Sequence, residues 1–353
     1  MTLITEMLDS YATGSELKRE HLIALLGVES TEELLRIQEK VNEVRREWVG
    51  DAVHIRGIIE FSNYCTRSCA YCGLNRHNRS LKRYRMTPED IVTTALKASK
   101  MGFRTIVLQS GEDPFFTAEI LADVIREIKK TGTAVTLSVG ERPARDYQLW
   151  REVGADRYLL KFETSNPALY ARLHPGSSLK NRLRCLQDLH ELGYQVGSGN
   201  IVGLPRQEAG ILADDLLLMR ELKLEMAGIG PFLPHPGTTL ARHPAPDVSM
   251  CLKVLALARL VIPWAHLPAT TALGCLNPDG FKLGLEWGAN VLMASLTPAV
   301  YRQYYEIYPQ KAQSDKAVQM KLLASQLRRD VAADPGHGLL TLNLNNRNRE
   351  VKT

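Results

Sequence analysis

Three observations predict an α/β fold built as a closed (β/α)8 barrel of the TIM type. Apolar, strand-like runs alternate eight times with amphipathic, helix-like ones, the pattern of a parallel sheet with crossover helices. The chain has 353 residues and is 44% hydrophobic, enough to bury one large core of the size such barrels have. Polar residues gather where the strand runs end, and that end of a barrel carries the chemistry.

The strand runs are 54–62, 104–109, 133–139, 157–163, 195–202, 226–232, 267–272 and 290–295. Between them lie helical patterns, among them 87–100, 118–130, 179–192, 209–222 and 249–262. The first of these has a well-formed start: Thr87 as N-cap, Pro88 in the first turn, and Glu89 and Asp90 facing the positive end of the helix dipole. The barrel is bounded at 51–310. Residues 1–50 are charged and helical, with a helical period over 32–42, and are expected to pack against the barrel as a cap. Residues 311–353 comprise a polar helix over 314–329, the segment Asp334-Pro-Gly-His-Gly338, and a tail, 343–350, too polar to hold itself against conformational entropy.

Composition excludes several function classes. The formal net charge of +5 is mild, and the basic residues are scattered apart from Arg76, Arg79, Lys82, Arg83 and Arg85. Aromatic residues do not interleave with them in a stripe, so no nucleic-acid partner is expected. No run approaches the roughly 18 uninterrupted apolar residues of a membrane span, so no membrane partner is expected. Six cysteines without a signal peptide are not a secreted disulfide scaffold, and the expected location is cytoplasmic.

The most specific motif is Cys65-Thr-Arg-Ser-Cys69-Ala-Tyr71-Cys72, a C-x3-C-x2-C loop directly after the first strand run. Three thiolates can hold an iron–sulfur cluster, and a four-iron cluster held this way leaves one iron open to a non-protein ligand. A structural zinc site would need a fourth ligand; the nearest candidate is His77, which reads as a solvated side chain in a basic loop rather than as a ligand. Cys185, Cys251 and Cys275 read as small buried hydrophobes.

Strand ends supply the other candidates. The second run is followed by Gln109, Ser110, Gly111, Glu112 and Asp113, where Gly111 permits close backbone approach. The third offers Thr136 and Ser138, the fourth ends in Lys161-Phe162-Glu163-Thr164, and Arg182 lies on the next helix. Taken alone, Glu163 and Arg182 read as a surface salt bridge and the acids after the second run as an ordinary loop; their placement at strand ends makes them candidates. Gly197-Ser-Gly199-Asn-Ile-Val-Gly203 lacks the G-x-G-x-x-G spacing and lies inside a strand run, which excludes a dinucleotide site and suggests close approach of a ligand or backbone.

The cysteine loop, with an aromatic residue before its last cysteine, resembles that of the radical S-adenosylmethionine (radical SAM) superfamily. The resemblance implies one [4Fe-4S] cluster on Cys65, Cys69 and Cys72, with S-adenosylmethionine on the open iron and its sulfonium cleaved reductively to methionine and a 5′-deoxyadenosyl radical. Ser110-Gly111-Glu112 is similar to the segment that binds the methionine amino group in that superfamily. Tyr71, Gln109, Thr136 and Ser138 are the further cofactor-side residues this implies, and the glycine-rich run 197–203 would face the adenosyl group. Glu163 suits the ribose hydroxyls, since a carboxylate accepts two hydroxyl donors, and Arg182 suits the methionine carboxylate through its fork of donors. The basic cluster suits an acidic electron donor such as a flavodoxin or ferredoxin, and equally a solvated loop.

A finer resemblance is to the HydE family of FeFe-hydrogenase maturases. It rests on Ile59-Glu-Phe-Ser-Asn63, Leu81-Lys-Arg-Tyr-Arg-Met-Thr-Pro88, Thr105-Ile-Val-Leu-Gln-Ser-Gly-Glu-Asp-Pro114, Gly154-Ala-Asp-Arg-Tyr-Leu-Leu160, Pro268-Ala-Thr-Thr-Ala272 and Tyr301-Arg-Gln303. It implies a small organometallic substrate, an iron-bound cysteine precursor of the H-cluster, and other hydrogenase maturases as partners. It also implies that Arg157, Met226, Thr270, Thr271, Met293, Tyr305 and Tyr308 line the substrate cavity. No cysteine follows Cys275, so a second cluster is not expected, and Lys161-Phe162 departs from the family's Arg-His. Biotin synthase and methylornithine synthase share parts of the pattern, so an enzyme acting on an amino-acid-like substrate is one alternative. An iron–sulfur carrier or scaffold is the other.

Overall fold

In the computed structural model, which describes all residues except 1–2, 13, 15, 310, 312–316 and 342–353, strands and helices alternate from residue 54 onward. Three helices precede them: α1 (Leu3–Ala12), α2 (Arg19–Leu26) and α3 (Thr31–Val49). The apolar runs then form β1 (His54–Ser62), β2 (Thr105–Ser110), β3 (Ala134–Ser138) and β4 (Arg157–Leu159). The intervening helices are α4 (Pro88–Lys100), α5 (Ala118–Lys129) and α6 (Ala144–Glu152). After β4 come α7 (Pro167–Leu173), α8 (Leu179–Glu191), β5 (Gln195–Ser198), β6 (Ile201–Val202) and α9 (Ala209–Glu221). The chain continues through β7 (Met226–Ala227), β8 (Gly230–Pro231), α10 (Val248–Val261), α11 (Thr271–Leu276), α12 (Gly280–Glu286), β9 (Val291–Ser295), α13 (Ala299–Arg302) and α14 (Ala317–Gln326).

Seven strands pair in parallel in the order β7-β5-β4-β3-β2-β1-β9. The eighth position of the ring is reduced to residues 266–268, whose bridges join Met226 to His266 on one side and Pro268 to Val291 on the other. Ala227 N donates to His266 O at 3.1 Å and Asn290 N to Leu267 O at 2.9 Å, so backbone hydrogen bonds close the barrel. The expected strand 267–272 stops early because Thr270 is the N-cap of α11 and its hydroxyl accepts from Leu273 N.

Three other expected strands are also shorter than the apolar runs. Runs 195–202 and 226–232 each break in two, and their distal halves, β6 and β8, form a separate parallel pair. The break has a steric cause: Gly199 has φ +143°, and a Cβ there would stand 2.2 Å from Gly228 O. At Gly199 the close neighbour is therefore another backbone. Run 157–163 is a continuous strand only as far as Leu159; beyond it Glu163, left-handed at φ 64°, makes a single bridge to Asn200.

The C-terminal segment closes the N-terminal end of the barrel. Arg157 donates to Gln195 Oε1 and Thr105 Oγ1 and to the carbonyls of Pro335 and Gly336, at 2.9–3.0 Å. Gly338 N donates to the same Gln195 oxygen, and Thr341 to Glu225. The expected helix 314–329 is realised as α14, its first residues and the tail 343–350 lying outside the described residues. At the other terminus, α2 packs on α9 and α10, and α3 on α10, along the outer helical layer. Among the described residues, no helix is long and apolar enough to cross a membrane.

Candidate active site

The cysteine loop leaves β1 at Ser62 and is held at several points by the barrel beneath it. Thr66 N donates to Glu112 O, Ala70 N to Leu173 O and Gly73 N to Ile307 O, at 2.8–3.0 Å. The Arg83 guanidinium satisfies the carbonyls of Asn63, Leu74 and Asn75. Arg85 is paired with Asp113 through both carboxylate oxygens and lies over the Tyr64 ring. Two of the five basic residues read as a docking cluster are thus used inside the loop, and Arg76, Arg79 and Lys82 face outward.

Cys65, Cys69 and Cys72 are free thiols, each partly exposed, and all three line a cavity of about 340 Å³ at the C-terminal end of the strands. Burial, with the neighbouring sulfurs, pushes the Cys69 thiol well up and that of Cys72 up to about 12. The thiols therefore hold their protons alone and give them up only to a strongly binding electrophile such as iron. Gly111 makes room for the loop, since a Cβ there would lie 2.7 Å from Cys65 Cβ and 2.2 Å from Tyr64 O. Among the described residues no three His, Cys, Asp or Glu side chains converge as ligands of a single ion. His77 sits exposed with Nε2 3.1 Å from Ser68 Oγ, which does not favour a zinc site. Three thiols around one side of a cavity fit separate irons of one cluster.

Facing the cysteines is a network of three carboxylates and three cations. Arg67 pairs with Glu112 and, at 3.0 Å, with Glu141. Glu141 also accepts from Arg182 Nε at 2.7 Å and Asn181 Nδ2 at 2.7 Å, while Arg182 Nη1 donates to Lys161 O at 2.6 Å. Lys161 Nζ lies 3.0 Å from Glu163 Oε2, close enough to pair in charge but without hydrogen-bond alignment, so that buried oxygen has no hydrogen-bond partner. Glu163 Oε1 accepts from Tyr71 OH at 3.1 Å. Such a site can take up a zwitterion by exchanging partners within the network, with little change in buried net charge.

Of the residues singled out in the sequence, Cys65, Cys69, Tyr71, Cys72, Gln109, Ser110, Gly111, Glu112, Ser138, Glu163, Arg182, Thr270, Tyr305 and Tyr308 all line this one cavity. Arg157, Thr136, Met226, Thr271 and Met293 do not. Arg157 is committed to the C-terminal segment, and Met226 Sδ lies 3.0 Å from Arg56 Nη1, deep in the barrel. Thr136 Oγ1 is buried there without a partner. Cys185 and Cys251 are buried as expected, whereas Cys275 is partly exposed. Sequence reasoning missed Arg67, Glu141 and His174. Arg67 had a signal, its place inside the cysteine loop; the other two had none stronger than any charged or ring residue after a strand.

Glu163 keeps its left-handed backbone through Asp215. This fully buried carboxylate accepts from Ser165 N and Oγ at 2.6 Å and from Asn200 Nδ2 at 2.9 Å, while Glu163 and Asn200 form a backbone bridge. Burial pushes the Asp215 carboxyl up to about 6, against the pull of Ser165 and Asn200. A folded-state pKa above the ordinary value means that this contribution is greatest below pH 4 and is lost as pH rises through 6, on the order of 3 kcal/mol. Asp215→Asn keeps an acceptor for Ser165, and Asn200 can turn its unpartnered Oδ1 toward the new amide. The variant is expected to lose the slope at little cost at pH 8, whereas Asp215→Ala costs about 2 kcal/mol. Denaturant titrations between pH 4 and 8 check this; an unchanged slope in Asp215→Asn rejects it.

The radical SAM superfamily model matches residues 59–216. The [FeFe] hydrogenase maturase subunit HydE of Thermotoga maritima is 54% identical over 270 residues, 76% of this chain and 78% of that one. A 3-methylornithine synthase of Methanosarcina acetivorans is 31% identical over 301 residues, 83% of this chain and 85% of that one. Among solved structures, methylornithine synthase (PylB) superposes with a TM-score of 0.83 at 27% identity, covering 92% of this chain and 97% of its own. The FeFe-hydrogenase maturase HydG from Carboxydothermus hydrogenoformans shares the fold, with a TM-score of 0.79 at 21% identity over 92% of this chain and 78% of that one.

Proposed function

Because the chain belongs to the HydE family of the radical SAM superfamily, we propose that it acts in FeFe-hydrogenase maturation, on a small organometallic precursor carrying an iron-bound cysteine. The observation that carries this reading is the placement of three free cysteines with Arg67, Glu112 and Arg182 around one cavity, the two arginines tied together by Glu141 behind them, in a chain 54% identical to a HydE. The chain is a radical SAM enzyme, and that family implies a [4Fe-4S] cluster and S-adenosylmethionine.

In this reading Cys65, Cys69 and Cys72 hold the cluster, which with S-adenosylmethionine supplies one-electron reduction and the adenosyl radical. Arg182 releases part of its hold on Glu141 to grip the methionine carboxylate, and Glu112 with the Ser110–Gly111 backbone receives the ammonium. Glu163, oriented by Tyr71, offers the oxygen that lacks a hydrogen-bond partner to a ribose hydroxyl. Thr270, Tyr305 and Tyr308, which line the same cavity, meet the substrate, and the buried Tyr305 ring helps exclude water from a reactive site. Arg76, Arg79 and Lys82, on the rim of the cysteine loop, attract an acidic one-electron donor such as a flavodoxin or ferredoxin.

The test is an anaerobic maturation assay in which the reconstituted protein replaces HydE; hydrogenase activity is the expected result. The 31% identity to a 3-methylornithine synthase favours one second reading, an amino-acid-like substrate. Cleavage of S-adenosylmethionine without maturation, and with deuterium transferred from the carbon of a deuterated amino acid into 5′-deoxyadenosine, would establish it instead.

A further inference from the structure

The end of α7 places a histidine against one of the three cysteines. His174 caps that helix at its C-terminus, is 4% exposed, and has Nδ1 3.4 Å from Cys69 Sγ. The Tyr170 ring stacks on it at 4.3 Å and 23°, and the Tyr71 ring meets it edge-on at 5.4 Å. Backbone ties fix its approach, because Ala70 N, next to Cys69, donates to Leu173 O at 2.8 Å. The imidazole therefore cannot turn away from the sulfur without breaking two ring contacts.

We infer that His174 donates its Nδ1–H to Cys69 and so raises the reduction potential of the cluster held there, making it a positioning residue that tunes electron entry. This rests on the assignment of the cluster to Cys65, Cys69 and Cys72. The tautomer follows from the other ring nitrogen: Nε2 is buried and has no partner. An unpaired N–H in that position would cost more than an unpaired lone pair, so the proton belongs on Nδ1. A thiolate sulfur ligating iron has only acceptor capacity, and Nδ1–H is the matching donor. A hydrogen bond to a ligand sulfur withdraws charge from the cluster and favours its electron-rich, reduced form. The cluster gains one electron from a low-potential one-electron donor, and the histidine keeps its proton throughout.

His174→Phe removes the donor and keeps a ring between Tyr170 and Tyr71; His174→Asn places an amide N–H where Nδ1 stands. Both are compared with the wild type, reconstituted without S-adenosylmethionine, by a dithionite-poised redox titration followed by electron paramagnetic resonance. At the wild-type midpoint, His174→Phe is expected to show a reduced-to-oxidised ratio about two- to tenfold lower at equal iron content, and His174→Asn to restore most of it. Pulsed measurements in heavy water add an independent reading: besides the coupling from Arg67 N, which donates to Cys65 Sγ at 3.4 Å, the reduced cluster of the wild type shows a further exchangeable deuteron that is absent from His174→Phe. Equal midpoints in all three proteins overturn the inference. Should His174→Phe lose its iron, the further deuteron coupling of the wild type and the His174→Asn midpoint decide, and absence of that coupling overturns it. A wild type that takes up no cluster overturns the cluster assignment, and this inference with it.

Discussion

Cys65→Ser is expected to leave a folded protein that holds well under half of the iron of the wild type and cleaves S-adenosylmethionine at least about a thousandfold more slowly. The hydroxyl fills nearly the volume of the thiol, and Cys65 is partly exposed at the cavity wall, so the fold loses little. What is lost is a ligand. The burial that already holds the Cys65 thiol in its protonated form opposes an alkoxide far more strongly, and serine offers iron no sulfur in exchange. Two cysteines cannot keep three irons in place. Gly111→Ala should reach a similar state by a steric route, because its Cβ would stand 2.2 Å from Tyr64 O and 2.7 Å from Cys65 Cβ and would displace the loop. Iron and sulfide per chain, the visible absorption of the cluster, and release of 5′-deoxyadenosine measure both variants. A Cys65→Ser protein with wild-type iron content and turnover would remove that cysteine from the ligand set.

Local signals carried most of the site. The three cysteines lie within eight residues and follow an apolar run, so spacing alone brings them together, and Gln109 to Glu112 span the end of a strand and therefore sit at its reactive end. Strand runs were legible because most of their residues are buried. What could not be read depends on partners distant in the chain. Glu141 looks like any acidic residue after a strand until Arg67 and Arg182 arrive from either side. His174 reaches Cys69 across 105 positions. Arg157 ends among the carbonyls of Pro335 and Gly336 because the chain returns to plug the barrel, and no periodicity announces that return. Strand ends were misjudged for a related reason: the break at Gly199 is set by its meeting with Gly228, a tertiary contact rather than a local preference.

Lys311→Met is expected to destabilise the protein by about 3–5 kcal/mol, lowering Tm by on the order of 5–10 °C, and to reverse the acid limb of its stability curve. Glu60 points from β1 into a fully buried site, where it pairs with Lys311, itself 5% exposed. Ser295 Oγ donates to its second oxygen at 2.8 Å, as does Thr297. Burial works against the charge, but Lys311 and the two hydroxyls together hold the Glu60 carboxyl below its ordinary value. A depressed folded-state pKa means that this contribution is complete above about pH 4.5 and is lost as pH falls below it. Without Lys311, desolvation has no cation to oppose it and the carboxyl titrates upward, so the variant should gain stability as pH falls from 7 toward 5, where the wild type stays flat at this group. Glu60→Gln in the same chain removes the stranded charge and should recover most of the loss, since the amide oxygen still accepts from Ser295 and Thr297. The pair also reaches the site. Lys311 lies over the Tyr305 ring, and the stretch from Tyr304 to Tyr308 both lines the cavity and holds the cysteine loop through Tyr304 O and Ile307 O. Weaker binding of S-adenosylmethionine by Lys311→Met, partly restored in the double variant, is therefore expected alongside the thermal shift. Denaturation curves at pH 5 and 7 for the three proteins decide the matter; equal stabilities with the same pH slope would show that the buried charge pair does not anchor this wall.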